Sequence, residues 1–113
     1  MKSYTDLEQS KKLAEILPLE SADMYYPVME DNIPCKRAYP KDEEYLPGED
    51  IECWTLAALL NVLPLPSLHK TYSAWRCDTY NEDGSVQKIG EDADNPVDAC
   101  YEMIIKLHEL NLL

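Results

Sequence analysis

Apolar positions along the chain fall into segments of different period. Leu7, Leu13, Ala14 and Leu17 line one helical face, with Glu8 and Lys12 four apart on the other. This spacing predicts a helix over residues 5–17. Thr5-Asp6-Leu7-Glu8 has the pattern of a capping box, with Thr5 as N-cap, and Pro18 stops the helix. A second helix is expected over residues 55–63, capped by Thr55 and ended by Pro64 and Pro66. It reads Leu-Ala-Ala-Leu-Leu-Asn-Val-Leu, apolar nearly all round, so it should be buried against more than one neighbour. Trp54 before the cap is a candidate hydrophobic staple.

Residues 72–89 read as a β-hairpin. Tyr72 to Asn81 is rich in aromatic and β-branched residues, and Asn81-Glu82-Asp83-Gly84 is a turn with Gly84 in the left-handed position. The implied register sets Tyr80 opposite Val86, Asp78 opposite Lys88 and Cys77 opposite Ile89. Trp75, Cys77 and Ile89 then share the inner face. A third helix is expected over 96–110, with Asn95 as N-cap and Pro96 at its first position. Cys100, Ile104 and Leu107 form its apolar stripe, Glu102 and Lys106 pair on its polar side, and Leu112 and Leu113 should dock. Residues 18–52 are broken by Pro27, Pro34 and Pro40. They allow short edge strands at 22–28 and 35–39, then an acidic loop at 41–50 with Pro47-Gly48 as a turn. The fold class that follows is α+β in one domain, residues 1–113: a small antiparallel sheet with helices on one face.

Cys53 to Pro64, Cys-Trp-Thr-Leu-Ala-Ala-Leu-Leu-Asn-Val-Leu-Pro, carries a Trp-[Ser/Thr]-Leu-x-x-Leu-Leu-x-x-Leu-Pro pattern. A hairpin with an acidic turn follows, then Asp98-Ala-Cys-Tyr-Glu-Met-Ile-Ile105. Over residues 50–113 this resembles small uncharacterised proteins of phages, prophages and mobile elements of gut bacteria. The resemblance implies an accessory protein and brings no catalytic residues with it.

Charge changes the picture more than composition does. The net charge is −12, and it is uneven. Residues 20–52 and 78–113 each carry −7, whereas residues 53–77 carry +2. Such a surface repels phosphate backbones, so direct nucleic-acid binding is not expected. The longest apolar run, Leu56 to Leu63, is too short to span a membrane, and the polar first ten residues lack a secretory pattern. The expected location is the cytoplasm. There, Cys35, Cys53, Cys77 and Cys100 act as small unlinked apolar side chains.

No phosphate loop, nucleophile elbow or zinc-ligand spacing occurs, so neither cofactor nor metal is expected. The acid clusters Asp42-Glu43-Glu44, Glu49-Asp50-Glu52 and Glu91-Asp92-Asp94 lack the EF-hand spacing and read as solvated loops. Two function classes remain. The leading one is non-enzymatic protein binding, in its strongest form as a decoy that occupies the nucleic-acid-binding surface of a basic host protein. Plain solubility is the competing and simpler reading of the charge. The binder's candidate contact residues are Tyr25, Tyr26, Tyr39 and Tyr45, with Glu43, Glu44, Glu91 and Asp92. The alternative is a small enzyme or enzyme subunit whose site is built from the cysteines with His69 or His108, or from the acid clusters. Trp75 is expected in the core, with Arg76 beside it.

Overall fold

The computed structural model describes residues 1–46 and 48–113. Its helices are α1 (Leu7–Ala14), α2 (Leu56–Val62) and α3 (Pro96–Glu109), with a short 3-10 turn at Leu19–Ser21. The strands are β1 (Met24–Tyr26), β2 (Tyr39–Pro40), β3 (Ile51–Cys53), β4 (Pro66–Lys70), β5 (Trp75–Tyr80) and β6 (Val86–Ile89). They form two antiparallel three-stranded sheets, ordered β2-β1-β3 and β4-β5-β6. The α+β class is therefore as expected, but with two sheets instead of one. The second half of the predicted turn at Pro47-Gly48 is a bend, and Pro47 lies outside the described residues.

The first helix starts one residue later than its sequence suggests. Asp6 is the N-cap, and its carboxylate accepts the Gln9 N–H while the Gln9 side chain accepts the Asp6 N–H. Thr5 is used elsewhere. It is fully buried, its hydroxyl meets Ser10 Oγ at 2.7 Å, and it accepts the Trp54 N–H at 3.2 Å. Tertiary packing thus claims the residue that local pattern would assign to the cap. Thr55 caps α2 as expected, and Asn95 caps α3 with Pro96 in its first turn.

α3 lays Cys100, Met103, Ile104 and Leu107 into the main core, where they meet Trp54, Leu59, Leu13 and Cys77. All four thiols are free, and Cys53, Cys77 and Cys100 are completely buried. Interaction between the Cys77 and Cys100 thiols holds the first below and the second above the ordinary thiol range, with burial pushing both upward. α3 ends in a Schellman arrangement: Asn111 is left-handed, and the Leu112 N–H reaches the Leu107 carbonyl at 2.8 Å. This local cap turns the chain outward, so Leu112 and Leu113 are exposed instead of docked. Lys106 also differs from expectation, because its ammonium sits 3.3 Å from Glu91 across the surface.

The hairpin forms with the expected turn, but its register slips beyond the first pair. Tyr80 faces Val86, then Thr79 faces Lys88 and Asp78 faces Ile89, leaving Gln87 as the extra residue of a bulge. The slip takes Ile89 out of register with Cys77, where it was expected, and sets it opposite Asp78 with its side chain exposed. Within the turn, Asn81 N–H bonds to Ser85, Gly84 N–H bonds to Asn81, and Gly84 has φ +87°. A Cβ at Gly84 would meet nothing, so conformation alone demands glycine there. Gly84→Val should lower stability by about 1–2 kcal/mol. A denaturation midpoint equal to that of the parent would reject this assignment.

Candidate interaction surfaces

The sheet β2-β1-β3 determines where the predicted contact tyrosines go. Tyr25 pairs with Tyr39 on one side and Glu52 on the other, so these three side chains share a face. Tyr45 folds back from the following loop and stacks on Tyr25, with ring centres 4.5 Å apart. Together they cover Glu52, which is only 3% exposed. The Tyr45 hydroxyl donates to Glu52 Oε1 at 3.3 Å, and Lys41 Nζ lies 2.7 Å from Oε2, which has no other partner among the described residues. Burial, followed by the field of Glu52, pushes the Tyr45 phenol well above its usual range. An acid expected in a solvated loop is therefore a buried strand residue. Its desolvation is offset by the adjacent ammonium.

Two of the four tyrosines are thus occupied with shielding an ion pair. Tyr26 points to the opposite face and is buried, its hydroxyl donating to the Thr5 carbonyl at 2.8 Å and its ring edge-on to Tyr4. That excludes Tyr26 as a contact residue in this conformation. Only Tyr39 remains on the open surface, with the Arg37 guanidinium 5.5 Å above its ring. Glu43 and Glu44 are exposed in the turn leading to Tyr45.

Glu91 and Asp92 occupy a different element, the connection from β6 to α3. There they line a groove of about 380 Å³ with Gln9, Ala93, Asp94, Asp98 and Glu102. Arg76 reaches Asp92 at 2.8 Å, and Lys2 reaches Asp98 at 2.9 Å. Burial raises the affinity of Asp98 for a proton, but hydrogen bonds from Lys2, Gln9 and Asn95 outweigh it and leave the carboxyl below its ordinary range. The groove brings together acids 91 to 102 and the start of α1, a joining that the separate sequence clusters did not show. Among the described residues, no group of three or more His, Cys, Asp or Glu side chains is placed to hold a metal ion.

The residues of a Cys–His site are not assembled in the core. Cys53, Cys77 and Cys100 are sealed away from solvent, whereas His69 and His108 are both exposed. His69 instead stands 3.9 Å from Asp78. Trp75 packs against the core as expected.

Sequence reasoning missed one surface feature, the chain between β1 and β2. It makes a tight turn at Met29–Ile33 that leaves both named side chains exposed. The available signal was Asp31-Asn32, since asparagine tolerates the left-handed conformation and Asn32 has φ +64°.

The fold and these surfaces define an acidic α+β protein with two small antiparallel sheets. No helix among the described residues is long and apolar enough to cross a membrane. Comparison of the chain with protein-family models, with curated proteins and with solved structures finds no match in any of the three.

Proposed function

We propose that this protein works by binding another protein, and that the partner presents a basic surface. One observation carries the reading. Of 22 carboxylates, only six lie within 4 Å of a basic side chain among the described residues. Only Glu52 and Asp78 are buried. Apart from the half-buried Asp50 and Asp98, the remaining acids face water, where they attract cationic surfaces and speed encounter with them. The resemblance to phage and mobile-element proteins supports a host protein in the cytoplasm as the target, with its nucleic-acid-binding surface as the region occupied. This assigns the protein no reaction and no cofactor.

The expected result is a partner retained from host lysate at low ionic strength and released near 1 M salt, where screening acts over about 3 Å. The protein alone should leave duplex DNA unshifted in a gel at low salt. A tight gel shift, or a partner whose affinity ignores salt, would reject the proposal.

A further inference from the structure

The turn between β1 and β2 has the same backbone as the one between β5 and β6. In each, the first N–H bonds to the fifth carbonyl and the fourth N–H bonds to the first: Met29 with Ile33 and Asn32 with Met29, as Asn81 with Ser85 and Gly84 with Asn81. Each has its fourth residue left-handed, Asn32 at φ +64° and Gly84 at +87°. The flanking positions differ. Asn81 and Ser85 are polar and hydrogen-bond to each other through their side chains, as expected of a turn in water. Met29 and Ile33 are large and apolar, yet 57% and 60% exposed. Turn geometry therefore does not require apolar residues at these two places.

The turn is also held firmly. Val28 bridges to Pro34, Cys35 N–H reaches the Pro27 carbonyl at 2.8 Å, and Val28 N–H donates to Asp50 at 3.0 Å. Pro27 and Pro34 fix φ at its base. Beside it lies a recess of about 530 Å³ lined by Val28, Met29, Glu30, Asn32 and Glu49. Two apolar side chains on a preorganised turn, edged by Glu30, Asp31 and Glu49, combine an apolar centre with a rim of one charge sign.

We propose that Met29–Ile33 is the contact tip of this protein, and that it fits an apolar stripe flanked by Lys or Arg, as on an amphipathic basic helix. The inference rests on the protein-binding function above and names the partner's chemistry. The acid rim selects the basic flanks, and Met29 and Ile33 select the apolar stripe. Because the tip needs no refolding to bind, little ordering entropy opposes the contact.

Two designed peptides of equal charge test this against the full chain, one a Leu/Lys amphipathic helix and the other with every Leu replaced by Ser. Amide chemical shifts of the labelled protein report where each binds. The Leu/Lys peptide should bind about tenfold tighter or more, with shifts centred on residues 28–34. Met29→Ser with Ile33→Ser should reduce its affinity to that of the Ser/Lys peptide and leave the denaturation midpoint unchanged. Met29→Gln alone, a milder change, should weaken binding by about threefold. Equal affinity of the two peptides, shifts centred on the groove at 91–102, or full binding by both variants would overturn the tip while leaving the charge-based function standing. Failure of both peptides to bind would overturn the two together.

Discussion

Gly90→Ala should destabilise the protein by about 3 kcal/mol, although it adds a single methyl group. Gly90 is buried just beyond β6, and its N–H donates to Asp78 Oδ1 at 3.2 Å. A Cβ at this position would stand 2.2 Å from the Cys77 carbonyl oxygen and 3.1 Å from Met103 Cε. Met103 has a flexible side chain and can yield. The Cys77 carbonyl cannot move freely, because β5 is the central strand between β4 and β6 and packs on α3 through Cys77. Relief requires moving either β5 or the chain leading to α3, and both are tied into the core. Gly84→Ala is the matched control, since its Cβ meets no atom and only the backbone conformation is strained. Urea denaturation of the two variants should show the larger loss at Gly90, reversing the order expected from φ alone. A Gly90→Ala midpoint within error of the parent would show that the close approach relaxes without cost.

This glycine marks where sequence reasoning ended. Gly84 was legible because its constraint is local: a turn sequence fixes the sign of φ, and the residues that fix it are adjacent. Gly90 is constrained by a carbonyl thirteen residues away, and that contact exists only after the bulge at Gln87 sets the path of β6. The same division runs through the rest of the molecule. Thr55, Asn95 and Pro96 announced α2 and α3 through short-range capping chemistry, and both helices start where those residues put them. Thr5 misled because its hydroxyl is recruited by Ser10 and by Trp54, forty-nine residues away in sequence and adjacent only through the Tyr4–Thr55 bridge. β3 and β4 went unseen for a related reason. Ile51–Cys53 is three residues long and pairs only with β1, and Pro66 opens β4 immediately after a helix-ending signal. Glu52 belonged to an acidic sequence run, so nothing local distinguished the one acid that Lys41 and Tyr45 would cover. Of the four tyrosines grouped from the sequence, Tyr25, Tyr39 and Tyr45 lie together. Strand alternation, which needs the exact strand start, put Tyr26 on the other face.

Trp54→Ala should be the most damaging single substitution outside backbone-restricted sites, costing about 4 kcal/mol. Trp54 is the largest completely buried side chain, and it sits in the core with Leu13, Leu17, Leu59 and α3. Its indole N–H donates to Ser21 Oγ at 2.9 Å, and its carbonyl accepts the Thr5 N–H at 3.0 Å. The ring thus ties the 3-10 turn to the core that α2 and α3 share, while the main chain of the same residue holds the N-terminal segment. Truncation to alanine removes the contacts of a whole indole from a packed interior and leaves a cavity too rigidly walled to collapse fully. Domains of this kind are stable by about 5–15 kcal/mol, so the loss is a large share of the total. With a urea dependence of about 1–3 kcal/mol per molar, the midpoint should fall by more than 1 M. Trp54→Phe separates the two contributions. It keeps most of the apolar bulk and loses the bond to Ser21, so it should retain more than half of the lost stability. If Trp54→Phe proves as damaging as Trp54→Ala, the hydrogen bond to Ser21 outweighs the packing. If Trp54→Ala shifts the midpoint by less than about 0.5 M, the indole is not the keystone of the core described here.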